Sequence, residues 1–323
     1  SFEPRSSHVS FGSIPTSAGM LSQLTELWLS QNDITGTLPS EMCMMSKLEY
    51  LWLPDTLDPP YGDFDGDYDG NVINELKDWC GSLSSPPSHQ PSTSPTFKPS
   101  TIPSSSIMPS SLPSLSPSTT EHKENITRDE ERGAVEKLLM ALRVERWKND
   151  RTHCEWHNNV TCNNDGFVTA IDLHDNGLNG TIPSEVGLLS NLQHLFLDGN
   201  NITGTLPTEL GKLSNLQYLR LNDNLINGTI PTEVGMLSNL QYLLLNNNTI
   251  TGLIPSEVGM LSSITEIALN SNLLSGTIPS EIGIPENFEH LLLNDNNLTG
   301  TIPPELWLLS HLTHLDLSAN NLC

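Results

Sequence analysis

Residues 216–239 read LQYLRLNDNLINGTIPTEVGMLSN, and the 24 residues on either side repeat them almost letter for letter. Before them stands LQHLFLDGNNITGTLPTELGKLSN (192–215), and after them LQYLLLNNNTITGLIPSEVGMLSS (240–263). From Val168 six full copies follow one another without an insertion, and LTHLDLSANNLC (312–323) opens a seventh. A fixed period of this length is the signature of coils that stack, each sealing the apolar edge of the next.

Each position of the period has a physical task. The apolar residues of LxxLxL alternate with polar ones, giving a strand with one buried face. The ninth position is Asn176, Asn200, Asn224, Asn248, Asn272, Asn296 and Asn320 in turn. An amide both donates and accepts, so this ladder can satisfy backbone groups where each strand turns away. Glycine at the thirteenth position permits a tight bend, and the Ile/Leu-Pro that follows fixes an extended segment.

These residues resemble the plant-type leucine-rich repeat, LxxLxLxxNxLxGxIPxxLGxLxx, whose G-x-I-P distinguishes it from other leucine-rich repeats. The resemblance covers residues 168–323 and, in part, 12–53. It implies an α/β solenoid, a right-handed superhelix of 24-residue repeats, here in two arrays joined by a disordered linker. Leu253 in place of Thr, Pro285 in the convex turn and Trp307 in place of Gly are departures, the last two marking expected local bends.

The second array has a beginning of its own. Thr127 and Glu130 have capping-box spacing, and Val135, Leu138, Leu139 and Leu142 line one helical face. Trp147 and CEWHNNVTC (154–162) follow. Together they resemble the amino-terminal cap of plant-type repeat domains, placing a disulfide-containing cap at 125–167 and the array at 168–323. The family usually has one residue fewer between the cysteines. Upstream, GSIPTSAGMLSQ (12–23) is the tail of one repeat and LTELWLSQNDITGTLPSEMCMMSK (24–47) a whole one. LEYLWL then starts another that fails at Pro54 and Thr56. Residues 1–80 thus read as the end of a first array, closed by an irregular terminal segment. Between the arrays, 81–124 forms a linker: residues 81–120 hold 29 Ser, Thr or Pro in 40, with one Lys and no acid. Such a stretch cannot pack a core.

Five cysteines are present. Cys154 and Cys162 are spaced for a small disulfide loop, Cys43 and Cys80 form a second candidate pair, and Cys323 is left over, which points to a partner beyond it. The chain starts with Ser and lacks a charged n-region followed by an apolar run, so a fragment or a mature form is expected. No run of 18 apolar residues occurs. The formal charge, 14 minus 38 or −24, argues against nucleic acid and anionic membranes as partners.

Binding is expected on the concave face, whose side chains project from rigid strands. Its middle carries His194, Phe196, Tyr218, Arg220, Tyr242 and Leu244, an aromatic-plus-Arg cluster of the kind that anchors partners. Asp172 and Asp198 add acidity that suits a basic segment, and Asp198 is also placed to neutralise Arg220. His290 and His314 are vertical neighbours with Asp316 nearby, a weak pattern for a metal. Asp65, Asp67 and Asp69 with Gly70 fit the first half of a calcium loop, but Leu76 stands where its bidentate Glu belongs. Seven Asn-x-Thr sequons, at Asn125, Asn159, Asn179, Asn201, Asn227, Asn247 and Asn297, suit a glycosylated secreted chain.

No kinase, Walker-loop, HExxH or nucleophile-elbow string occurs, so neither an enzyme nor a cofactor is indicated. The resemblance implies receptor ectodomains, receptor-like proteins and polygalacturonase-inhibiting proteins. The expected function is a non-catalytic extracellular or cell-surface module that binds a protein, peptide or glycan. The alternatives are a structural wall or matrix adhesion protein, or the truncated ectodomain of a receptor-like kinase; ice binding by the regular Asn/Thr face is a minor one.

Overall fold

A computed structural model describes residues 12–58, 71–83, 126–144, 154 and 159–323. Leucines at the first, fourth and sixth positions point inward; in the third coil Leu216, Leu219 and Leu221 are fully buried. Ten short strands form the concave sheet: β1 (Glu26–Trp28), β2 (Tyr50–Trp52), β3 (Val160–Cys162), β4 (Val168–Asp172), β5 (His194–Phe196), β6 (Tyr218–Arg220), β7 (Tyr242–Leu244), β8 (Glu266–Ala268), β9 (His290–Leu292) and β10 (His314–Asp316). All neighbours are parallel except β3, which runs antiparallel to β4 at one edge.

On the convex side each Pro leads into a 3-10 turn such as Thr208–Lys212 or Thr232–Met236. Glycine near the end of these turns is a matter of close approach. A Cβ on Gly211 or Gly235 would stand 2.5 Å from the carbonyl oxygen of Glu233 or Glu257 in the next coil. Pro285 shortens its turn to Ser280–Gly283, whereas the Trp307 turn keeps five residues, Pro304–Leu308. The indole is fully buried in that turn.

The largest departure from the sequence reading concerns the two arrays. The sheet order is β2-β1-β10-β9-β8-β7-β6-β5-β4-β3, so residues 12–58 stack directly on the last coil of 168–323 in one continuous solenoid. Glu26, Leu27 and Trp28 pair in register with His314, Leu315 and Asp316. Gly12 lies against the carbonyl of Cys323, so 12–23 continues the coil that 312–323 begins. The physical reason is shared phase. Both segments carry the same 24-residue register, and each has an open strand edge and an open rung of the amide ladder to satisfy.

That ladder is built as follows. Each buried Asn donates its Nδ2 hydrogens to its own strand end and to the preceding coil, and accepts an N–H with Oδ1. Asn224 donates to Leu197 O (2.9 Å), Leu221 O (3.1 Å) and Asn222 O (3.1 Å), while its Oδ1 accepts from Ile202 N (2.9 Å). Asn200, Asn248, Asn272, Asn296 and Asn320 are buried in the same way. Asn32 extends the series across the junction, donating to Leu317 O (3.0 Å) and accepting from Leu322 N (3.0 Å). Asn176 differs from the expectation for all seven: it is exposed, because no preceding coil offers it a carbonyl. Thr56 takes the ladder position where the repeat fails and donates its hydroxyl to Ile34 O.

Two caps close the ends. Helix α1 (Ile73–Ser82) follows β2 and is tied to the Ser40–Met44 turn by the Cys43–Cys80 disulfide. Helix α2 (Arg128–Ala141) starts with a complete Thr127/Glu130 capping box and buries Val135, Leu138, Leu139 and Leu142. The Cys154–Cys162 disulfide is also formed. Glu131 on α2 accepts a hydrogen bond from Val168 N (3.0 Å) at the edge of the first coil. Burial there pushes its carboxyl up to about 7. Asp65, Asp67 and Asp69, Trp147 and most of the Ser/Thr/Pro-rich stretch lie outside the described residues.

Candidate functional site: the concave face

Nine parallel strands at about 4.8 Å spacing make a face on the order of 40 Å long. The predicted cluster lies together on β5, β6 and β7. Tyr218 and Tyr242 stack with ring centroids 4.7 Å apart, and His194 meets Tyr218 edge-on at 4.9 Å. Phe196 stands edge-on to Tyr218 at 6.2 Å. The Arg220 guanidinium lies over the Phe196 ring, 5.1 Å from its centre. Arg220 is therefore held by a cation–π contact and not by Asp198, and its exposed guanidinium keeps donors free for a ligand. Leu244 is half-buried beside it on β7, in register with Arg220. Asp172 is taken up at the start of the face by His174 Nδ1 (2.5 Å), whose imidazole it holds above the usual range through that hydrogen bond.

Beside this cluster, two acids flank a pair of imidazoles. Glu266 Oε2 lies 3.4 Å from His290 Nδ1, the His290 and His314 rings meet at 4.5 Å, and His314 Nε2 lies 3.3 Å from Glu26 Oε1. The hydrogen bond that His290 donates to Glu266 raises the His290 pKa. Asp316 is turned away from this group and accepts from Ser318 N (3.0 Å) and Oγ (2.6 Å), with burial pushing its pKa up. Among the described residues no three His, Cys, Asp or Glu side chains converge as metal ligands.

Sequence reasoning missed the far end of the face. Trp28 and Trp52 stack at 3.9 Å, Tyr50 lies 6.0 Å from Trp52, and Trp28 Nε1 donates to Glu26 Oε2 (3.2 Å). The signal was present: LTELWL and LEYLWL put these rings at the same third and fifth positions as Tyr218 and Arg220. Only the in-register pairing of β1 with β10 joins them to the same surface.

Of the sequons, Asn179, Asn201, Asn227, Asn247 and Asn297 are exposed, all between the eighth and twelfth positions and hence along one flank. Asn247 donates to Asp223 Oδ1 (2.7 Å). Asn159 is half-buried and donates to Asp172 O (2.7 Å), while Asn125 lies outside the described residues.

The Leucine Rich Repeat family matches at residues 23–45, 191–213, 215–237, 239–261 and 287–309. No curated protein matches the sequence. Among solved structures, that of PEPR1 with AtPEP1 is 28% identical with a TM-score of 0.57, covering 60% of this chain and 28% of that one. The plant peptide hormone receptor RGFR1 in complex with RGF2 is 26% identical (TM-score 0.47; 96% of this chain, 34% of that one). The Arabidopsis receptor kinase HAESA, with the peptide hormone IDA and the co-receptor SERK1, is 28% identical (TM-score 0.47; 60% and 38%). These last two overlay too loosely to argue from. This chain spans 28–38% of the length of the three. Repeats, parallel sheet and likeness together define a leucine-rich-repeat solenoid. These findings support a leucine-rich-repeat protein of the plant type.

Proposed function

We propose that this chain is a recognition module whose concave face binds an extended peptide of net positive charge outside the cell. The observation that carries this reading is the Phe196–Tyr218–Tyr242 cluster with Arg220 above it, a rigid aromatic anchor with an accessible fork of donors. Glu26, Glu49, Glu266, Glu289, Asp198 and Asp223 give the same face an acidic rim, which favours a basic ligand. PEPR1, the similar structure with the better overlay, was solved with AtPEP1, which supports a ligand-binding role. Two disulfides and the exposed sequons suit an oxidising secretory route, and we assign glycosylation to Asn179, Asn201, Asn227 and Asn297.

The test is capture of Lys/Arg-containing peptides from a synthetic library. Tyr218→Ala with Arg220→Ala is expected to weaken the best binder about a hundredfold, through loss of a stacked ring and a charged donor. Unchanged affinity in that double variant removes the site.

A pH dependence follows from the acid–imidazole group. Hydrogen bonding to Glu266 raises the His290 pKa, so this interaction stabilises the fold fully below about pH 6.5 and is lost as pH rises through the raised folded value. The sign for a basic ligand is opposite. Protonation of His290 places positive charge beside Glu266, Glu289 and Glu26, so affinity should fall several-fold from pH 8 to pH 5. Titration calorimetry at both pH values reads this; His290→Gln should flatten the profile.

A further inference from the structure

A second surface lies on the opposite side of the solenoid. At the end of four 3-10 turns stand Met236 (60% exposed), Met260 (62%), Leu308 (60%) and Met20 (53%), with Ile284 (62%) just past the shortened turn between Met260 and Leu308. They form an unbroken apolar row across adjacent coils, ended on one side by Lys212. Large exposed apolar rows are uncommon on soluble proteins without a partner. Three residues before four of them stand Glu233, Glu257, Glu281 and Glu305, each half-buried at its base. In a 3-10 turn, residues i and i+3 eclipse at a rise of ~2 Å per residue, so a carboxylate row runs parallel to the apolar row about 6 Å away.

We infer that this double row is a docking face for a basic amphipathic helix of another protein. The dimensions fit. Coils recur at about 4.8 Å and an α-helix turns every 5.4 Å, so a helix laid along the row sets roughly one apolar residue against each coil. Five coils span about 19 Å, which a helix of about 13 residues covers. Lysine or arginine on the flank of that helix then meets the carboxylate row. The molecule already contains one such contact: Lys137 of α2 reaches the equivalent Glu185 at 2.8 Å, from a helix packed on the Ser184–Leu188 turn. A second copy of this chain is a poor occupant, since each copy carries a formal charge of −24. An anionic lipid surface is repelled by the same carboxylates.

The probe is a fluorescent 14-residue Leu/Lys peptide with leucines at i, i+3, i+4 and i+7, compared with an isomer of equal composition whose leucines are scattered. Anisotropy against the full chain at ~0.15 M salt should show one-to-one binding of the patterned peptide and about tenfold weaker binding of its isomer. Met236→Gln with Met260→Gln, and separately Glu257→Gln with Glu281→Gln, should each weaken the patterned peptide about tenfold. Tyr218→Ala with Arg220→Ala should leave it unchanged, which keeps this surface distinguishable from the concave one. Equal binding of the two isomers, or full affinity in either convex double variant, overturns the proposal as mere attraction to an acidic protein. A sedimenting dimer that Met236→Gln with Met260→Gln dissolves overturns it in favour of self-association.

Discussion

Replacing Asn248 with Leu is expected to destabilise the solenoid by roughly 3–5 kcal/mol. Its Nδ2 donates to Leu221 O (2.9 Å), Leu245 O (3.1 Å) and Asn246 O (3.3 Å), and its Oδ1 accepts from Ile226 N (2.9 Å). Leucine has similar volume, so the cost is polar: the Ile226 N–H loses its acceptor, and three carbonyls each lose one donor while keeping Asn224 Nδ2, Asn272 Nδ2 or Asp223 N. Each orphaned group costs about 1–3 kcal/mol, and carbonyls that keep another donor cost least. Because coils touch only their neighbours, the loss should also divide cooperativity, splitting urea unfolding into two transitions on either side of the fourth coil. Asn176→Leu supplies the contrast. That side chain is exposed, and its Nδ2 reaches only the nearby His174 O (2.6 Å), so the change should cost about 0.5 kcal/mol or less.

Leu27→Asp is expected to detach residues 12–82 from the rest. Leu27 is fully buried on β1, between Leu315 of β10 and Leu51 of β2. A carboxylate there has no cation within the interior and would cost several kcal/mol. The junction carries the same kind of strand bonds as the other coils, including Thr25 N to Thr313 O (2.8 Å) and Leu317 N to Trp28 O (2.9 Å), so the buried carboxylate at Leu27 is what should make it yield first. Limited proteolysis should then degrade 12–82 while 168–311 survives. Loss of both regions together would mean that they fold as a single indivisible unit.

The coils were legible in the sequence because every contact that defines them recurs at a separation near 24 residues. Leu195, Leu219 and Leu243 are buried as the alternation predicts, and the Thr127/Glu130 cap signal forms both of its hydrogen bonds. What remained hidden is non-local. Thr25 bonds to Thr313 across 288 residues, and no periodicity within either segment announces that pairing. The Trp28–Trp52 stack stayed out of the predicted site for the same reason. Asn176 was over-read because a repeat pattern does not say which coil lacks a predecessor. Arg220 shows a third kind of gap: residue type suggested an ion pair with Asp198, while the geometry of adjacent strands put the guanidinium on Phe196.

The claim on which the concave surface rests is that β1 and β2 continue the sheet begun by β4–β10. The most direct measurement is an electron–electron distance between nitroxides on Glu49 and Glu289, exposed second-position residues on coils three strands apart. The stacked arrangement predicts a narrow distribution centred below about 25 Å, from ~14 Å of backbone separation plus the label arms, and its loss in Leu27→Asp. A broad distribution beyond about 40 Å in the unaltered chain would contradict it.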